Sequence, residues 1–105
     1  MDEHDQIERW RRRIDEVDRA IVELLNERSR CALAIGAVKR LMGRAVYDPD
    51  REETIVRQAV EANAGPMGDD AVRRLFERIL DESRRTERLA AEAAVDAAAG
   101  ETDPE

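Results

Sequence analysis

The sequence predicts an all-α fold: a three-helix chain with one very long N-terminal helix, paired in an intertwined homodimeric helical bundle. The 105 residues are 42% hydrophobic but only 3% aromatic and include five glycines, a composition typical of helices. Apolar residues recur in steps of three and four over the first 42 positions, which is the spacing of an amphipathic helix. Two shorter amphipathic segments follow. Together these observations indicate one helical domain.

The first helix is predicted from about Asp5 to Met42. Its apolar seam consists of Ile7, Trp10, Ile14, Val17, Ile21, Leu24, Cys31, Ile35, Val38 and Met42. A helix of this length spans about 57 Å, whereas a compact domain of this size is about 30 Å wide. One chain cannot cover the seam, so we expect it to pack on a second copy. A solitary coiled coil is the alternative, and the two later amphipathic segments favour a bundle.

Arg28 is the one basic residue set into the seam. It is either an arginine that extends its charge to solvent from a wet interface or a guanidinium directed into the interior to hold an anion. Lys39 follows three turns later and only about 20° around the helix, so both cations share a face. Arg11 points about 100° away from Arg28. If Arg11 serves the same anion, it reaches it from a second chain.

The second helix is predicted to begin after Asp48 and to end near Ala62, with an apolar stripe of Ile55, Val56, Ala59 and Val60. Asp48 is an N-cap candidate, and Glu52 would compensate the helix dipole in the first turn. Arg51 fits this arrangement less well, because a cation near a helix N-terminus is misplaced unless an anion lies beside it. The segment therefore carries a second indication of an anionic ligand.

The third helix is predicted to be capped by Asp69 or Asp70. Its stripe reads Val72, Leu75, Phe76, Ile79 and Leu80 and then becomes polar at Ser83 and Glu87. Those two polar residues lie four apart on one face. Two stripes with polar interruptions indicate a ligand pocket inside a helical bundle. We expect residues 1–90 to form the helical domain and residues 91–105 to be a frayed or disordered acidic tail.

Composition excludes several classes of function. The net charge of −7 disfavours nucleic acid as a partner. No apolar run is long enough to span a membrane and the first residues are acidic, so we expect neither membrane association nor a signal peptide, and a cytoplasmic location. The single histidine, His4, argues against a histidine-based metal site or triad. The single cysteine, Cys31, is expected to be a small core residue without an internal disulfide.

Five separated segments together resemble the AroQ-type, all-helical chorismate mutases over roughly residues 7 to 90. The segments are residues 11–14, 25–28, 35–39, 46–52 and 75–83. The resemblance implies an intertwined dimer of three-helix chains with two equivalent sites. It also implies the Claisen rearrangement of chorismate to prephenate, the shikimate-pathway branch toward phenylalanine and tyrosine. That isomerisation needs no metal or cofactor, only a dianion held in a reactive conformation.

The resemblance also assigns roles at the carboxylates of the substrate. Arg28 and, across the dimer interface, Arg11 of the partner chain would grip these carboxylates, with Arg51 assisting. Lys39 would donate to the ether oxygen and to a carboxylate. Ser83 would line the carboxylate end of the site. Arg28 and Lys39 thereby join Glu87 as the candidate catalytic residues.

The remaining roles concern the hydroxyl and the ether oxygen. Asp48 and Glu52 would orient the substrate hydroxyl. Glu87 stands where enterobacterial members carry glutamine and fungal members glutamate, and it would face the ether oxygen. An ionised carboxylate would repel the charge that develops there, so Glu87 must be protonated to donate. Burial beside a dianion would raise its pKa, while Lys39 would lower it.

Three alternatives stay open at this stage. A 4-amino-4-deoxychorismate mutase would keep nearly all of these residues and differ around the hydroxyl. Isochorismate pyruvate lyases share the fold, although the pair Asp48 and Glu52 fits a mutase better. A non-catalytic helical dimer could instead regulate or scaffold another enzyme of the shikimate pathway. A partner enzyme of the shikimate pathway could also activate a mutase.

Overall fold

The computed structural model describes residues 2–100, and within that range the chain is helical with no strand. Its helices are α1 (Glu3–Leu41), α2 (Pro49–Glu61) and α3 (Asp69–Gly100). The all-α class and the very long first helix are confirmed, and the predicted limits of α1 differ from the observed ones by one or two residues. None of the described helices is both long and apolar enough to cross a bilayer.

The chain divides after Cys31 into two units. The first unit holds the larger part of α1. The second unit holds the end of α1 together with α2 and α3, and α2 packs against α3. The most buried apolar side chains of this second unit are Val56 on α2, 8% exposed, and Leu80 on α3, 6% exposed. Both belong to the stripes that the sequence predicts.

The first unit leaves its apolar seam open. The side chains of Ile7, Trp10, Ile14, Val17, Ile21 and Leu24 are between 40% and 62% exposed. The guanidinium of Arg9 lies 5.8 Å from the centroid of the Trp10 ring. Cys31 is exposed as well, so within one chain it is not the core residue that its place in the seam predicts. An exposed apolar face of this extent is typical of an interaction surface.

The end of α1 is closed by a Schellman motif around Gly43. Gly43 adopts φ 69°, and its N–H donates to the carbonyl of Arg40 at 3.1 Å. The N–H of Arg44 donates to the carbonyl of Lys39 at 2.8 Å. Because glycine enters the left-handed region without a steric penalty, it ends the helix here. The motif fixes the last turn of α1, which carries Lys39.

The start of α2 is set by Asp48. This residue has extended backbone angles, φ −135° and ψ 90°, and its carboxylate accepts from the N–H of Arg51 at 3.0 Å. Pro49 follows at the first helical position, where its missing N–H costs nothing. The predicted N-cap is confirmed. It fixes Asp48 and places Glu52 in the first turn of α2.

The start of α3 differs from the prediction by one residue. The helix begins at Asp69, and the carbonyl of Gly68 accepts from the N–H of Val72 at 3.1 Å, so Gly68 holds the cap position. The prediction that Asp69 or Asp70 is the cap is therefore wrong. The carboxylate of Asp69 instead accepts from the side-chain amide of Asn63 at 2.9 Å. The side chain of Asp69 is thereby joined to the preceding loop.

The far end of α3 is helical through Gly100. The alanine-rich residues 91–100 continue the helix, since alanine has the highest helix propensity. The predicted acidic tail, residues 101–105, lies outside the described residues. The division into residues 1–90 and 91–105 stays a prediction.

Candidate functional site

The eight predicted site residues are distributed over both units. The second unit contains Lys39, Asp48, Arg51, Glu52, Ser83 and Glu87, and the first contains Arg11 and Arg28. Arg11 forms an ion pair with Glu8 at 2.9 Å, and its side chain is 68% exposed. Arg28 is half-buried. An exposed ion pair one turn apart contributes little free energy, so Arg11 can exchange Glu8 for a better anion at small cost.

Glu87 approaches α1 at Gly36. A β-carbon at Gly36 would lie 3.0 Å from Oε1 of Glu87, and 3.5 Å from both Nη1 of Arg40 and Cγ1 of Val46. Gly36 is the one buried residue of α1, and the carboxylate fills the space where a side chain would stand. A glycine at this position lets another group come close to α1. The structure assigns the close approach to the side chain of Glu87.

Burial dominates the electrostatics of Glu87. Removal from water raises the pKa of the Glu87 carboxyl above its usual range, and the negative charge of Glu52 adds to the rise. The cations Lys39 and Arg40 act in the opposite direction without cancelling it. A carboxyl that keeps its proton to higher pH can donate a hydrogen bond where an ionised one cannot.

Lys39 is close enough to Glu87 for its positive charge to lower the pKa of that carboxyl. Its Nζ donates to the carbonyl of Val46 at 3.3 Å, and the residue is half-buried. An ammonium has three N–H donors, so Lys39 keeps two for a ligand. The last turn of α1 and the middle of α3 thus bring Lys39 and Glu87 together as two candidate donors.

Arg84, which the sequence pattern does not single out, contacts the predicted site residue Glu52. Its Nη1 donates to the carboxylate of Glu52 and its Nη2 to that of Asp81. Its guanidinium carbon also lies 5.7 Å from the centroid of the Tyr47 ring. The hydrogen bond to Glu52 is the main cause that raises the pKa of Arg84. Its position, three residues before Glu87, is the one sequence signal that could have pointed to it.

Two cavities flank Arg84. One of about 250 Å³ is lined by Arg40, Val46, Tyr47, Arg84, Glu87, Arg88 and Ala91. The other, of about 160 Å³, is lined by Glu52, Glu53, Val56, Glu77, Leu80, Asp81 and Arg84. Each contains one predicted site residue, Glu87 in the first and Glu52 in the second. Among residues 2–100, no three His, Cys, Asp or Glu side chains are grouped so that they could hold a metal ion.

The remaining predicted residues lie around α2 and α3. Asp48 and Ser83 are half-buried, whereas Arg51 is exposed at the start of α2. Glu52 is held by Arg84, with 21% of its side chain exposed. The structure therefore pairs Glu52 with Arg84 of α3, and Asp48 with the backbone of Arg51.

The sequence profile of the chorismate mutase type II family matches residues 10–88. The chain belongs to the chorismate mutase type II family. The match covers every predicted site residue. The resemblance to all-helical chorismate mutases is thereby confirmed.

Two curated relatives of this chorismate mutase domain are bifunctional chorismate mutase/prephenate dehydratases. That of Neisseria gonorrhoeae is 42% identical over 78 residues, which cover 74% of this chain and 21% of the relative. That of Pseudomonas aeruginosa is 35% identical over 85 residues, covering 76% of this chain and 23% of the relative. The chain thus spans about a fifth of the length of these relatives.

A solved structure has nearly the same extent as this domain. The chorismate mutase of Thermus thermophilus, form II, superimposes with a TM-score of 0.76 at 36% sequence identity. The superposition covers 79% of this chain and 94% of that one. The three-helix architecture is therefore that of a solved chorismate mutase.

Proposed function

We propose that the protein is a chorismate mutase that catalyses the Claisen rearrangement of chorismate to prephenate, toward phenylalanine and tyrosine. In this reaction the ether C–O bond breaks while a C–C bond forms, with no external reactant. Negative charge gathers on the ether oxygen in the transition state, and fixed donors facing that oxygen lower the barrier. The observation that carries the proposal is the placement of Glu87, a carboxyl of raised pKa, against Gly36 and near Lys39.

Glu87 and Lys39 supply the two donors that the ether oxygen requires. A protonated Glu87 donates one hydrogen bond, and Lys39 adds a positive charge and an N–H. Both are held before substrate arrives, Glu87 against α1 and Lys39 by the carbonyl of Val46. Donors fixed in advance need little reorganisation during the reaction, which is the condition for electrostatic catalysis.

The carboxylates of the substrate are bound by arginines in this proposal. Arg28 and Arg51 come from one chain and Arg11 from its partner, and Ser83 lines the same end. The open seam of α1 supports the homodimer, because a second copy offers a face of matching length and apolar character. Arginine suits this role because its planar fork matches a carboxylate with two parallel hydrogen bonds.

The substrate hydroxyl is oriented by Asp48 and Glu52. Asp48 already accepts the N–H of Arg51, and Glu52 accepts from Arg84. A carboxylate has about four acceptor positions, so each keeps room for a hydroxyl donor. Their fixed positions at the start of α2 would select the orientation of the ring.

The test follows the loss of chorismate by ultraviolet absorbance with purified protein, in parallel with 4-amino-4-deoxychorismate and isochorismate. We expect turnover of chorismate to prephenate. Turnover of the amino analogue alone would assign the protein to the amino-substituted substrate, and pyruvate release from isochorismate would assign a lyase. No turnover of any of the three would overturn the enzymatic assignment and favour a non-catalytic regulatory dimer.

Replacing Gly36 tests the placement of Glu87. In Gly36→Ala the new methyl group would lie 3.0 Å from Oε1 of Glu87, so the carboxyl must move. We expect kcat to fall roughly tenfold, the equivalent of about 1.4 kcal/mol of lost transition-state stabilisation. Alanine stabilises the helix by up to about 1 kcal/mol relative to glycine, so the midpoint of thermal unfolding should not fall.

The matched control for this variant is Gly100→Ala at the end of α3. Among residues 2–100, and apart from its chain neighbours and its own helix backbone, no heavy atom lies within 4 Å of the position that its β-carbon would take. Its turnover should equal that of the unmodified protein. Full activity in Gly36→Ala would contradict a role for the contact between Gly36 and Glu87.

A further inference from the structure

Arg84 joins three parts of the second unit at one guanidinium. The Arg84 guanidinium donates to Glu52 on α2 and to Asp81 on its own helix. It also lies over the Tyr47 ring in the connection between α1 and α2. Its side chain is 37% exposed, and that of Glu52 is 21% exposed. A guanidinium fixed by two carboxylates and an aromatic face has little freedom to leave. It therefore fixes the carboxylate of Glu52 in turn.

Pairing with Arg84 changes what Glu52 can bind. A free carboxylate attracts a cation strongly, whereas a carboxylate paired with a guanidinium has its charge partly compensated and attracts a second cation less. Glu52 still has unused acceptor positions after it accepts from Arg84. It can therefore accept one hydrogen bond from a neutral donor while attracting a second cation less than an unpaired carboxylate would.

The preference of Glu52 for a neutral donor over a cation would distinguish chorismate from its 4-amino analogue, which differ only in this substituent. The hydroxyl of chorismate is neutral and donates one hydrogen bond. The amino group in the same position of the 4-amino analogue is protonated near neutral pH, carries three N–H donors, and is best stabilised by an uncompensated carboxylate. A site in which Glu52 is paired favours the hydroxyl.

We propose that Arg84 is a positioning residue that compensates and fixes Glu52, and thereby makes the site select a hydroxyl over an ammonium group. The inference rests on the proposed function, in which Glu52 faces this substituent. It assigns the choice between chorismate and its 4-amino analogue to a residue outside the set that the sequence reading identified.

The experiment compares kcat/KM for chorismate and for 4-amino-4-deoxychorismate. In Arg84→Met the ratio of the two values should shift toward the amino analogue by roughly tenfold, since a charge-assisted hydrogen bond is removed. Arg84→Gln should shift it in the same direction, because it also lacks the charge while keeping a polar side chain. Thermal unfolding followed by circular dichroism shows which variants are folded. An unchanged ratio in either folded variant would overturn the proposal.

A matched control is Arg78→Met on the same helix. Arg78 pairs with Glu82 at 2.8 Å one turn away, and its side chain is 73% exposed. This variant also loses an arginine and an ion pair of α3. The lost ion pair involves Glu82, which is not proposed to face the substrate. Its ratio should equal that of the unmodified protein, and a shift as large as that of Arg84→Met would overturn the proposal.

A double-mutant cycle shows whether Arg84 acts through Glu52. In a Glu52→Gln background, Arg84→Met should leave the ratio unchanged, because the charge that it compensates is gone. An equal shift in both backgrounds would overturn the positioning role. Unmodified protein that converts neither substrate would overturn the proposed function itself, whereas active protein with an unchanged ratio in Arg84→Met would overturn this inference alone.

Discussion

Arg28→Ala is expected to abolish nearly all turnover of chorismate while the homodimer stays intact. The half-buried guanidinium interrupts an otherwise apolar seam, and in the proposed site it forms charge-assisted hydrogen bonds to a substrate carboxylate. Removing one partner of such a pair costs about 2–5 kcal/mol. We therefore expect kcat/KM to fall by roughly 1.5 to 3.5 orders of magnitude.

Steady-state kinetics and light scattering on the same preparation measure this result. The matched control is Arg30→Ala, an exposed arginine two positions along the same helix and about 200° around it. It should retain both turnover and the dimer. Dissociation of Arg28→Ala into monomers would contradict the binding role and assign Arg28 to the interface as a structural arginine.

Turnover is also expected to fall as pH rises through the pKa of Glu87, by up to about tenfold per pH unit above that value. Turnover falls with rising pH because only the protonated Glu87 carboxyl donates to the ether oxygen. Ionisation removes this donor and adds a negative charge that repels the developing charge. Burial raises the pKa of Glu87, which preserves the active form to higher pH. Lys39 and Arg40 work against burial and limit that extension.

Glu87→Gln isolates this group, because the amide donates at every pH. Its pH profile of kcat should be flatter than that of the unmodified protein on the alkaline side. Glu82→Gln is the control, since Glu82 lies on the same helix with a side chain 52% exposed and pairs with Arg78. Identical profiles for the unmodified protein and Glu87→Gln would remove Glu87 from the role of donor.

The helices could be predicted because their limits depend on local chemistry. Asp48 accepts a hydrogen bond from an N–H three residues later, and Gly43 closes α1 through partners within five residues. The predicted cap of α3 is wrong by one residue, because Asp69 already lies inside the helix and its carboxylate accepts from Asn63, six positions earlier. A local capping pattern does not indicate such a contact.

The sequence predicts which helix face carries each candidate site residue, but it does not predict the tertiary contacts of these residues. Periodicity places Ser83 and Glu87 on one side of α3, yet it does not say that Glu87 meets α1 at Gly36, 51 positions earlier. Arg84 pairs with Glu52 across 32 positions. An arginine in a chain that is 41% charged residues is indistinguishable from an ordinary surface arginine until its partner is known. Tertiary contact, and not residue type, assigns these roles.

The open face of α1 carries an optical reporter of the proposed dimer. Trp10 is its single tryptophan, and the indole is 62% exposed on the uncovered seam. When a second copy covers that ring, the indole passes from water into an apolar surrounding, and its fluorescence emission moves to shorter wavelength. Dilution of the unlabelled protein would then reveal the association equilibrium directly, as a red shift that appears when the subunits separate.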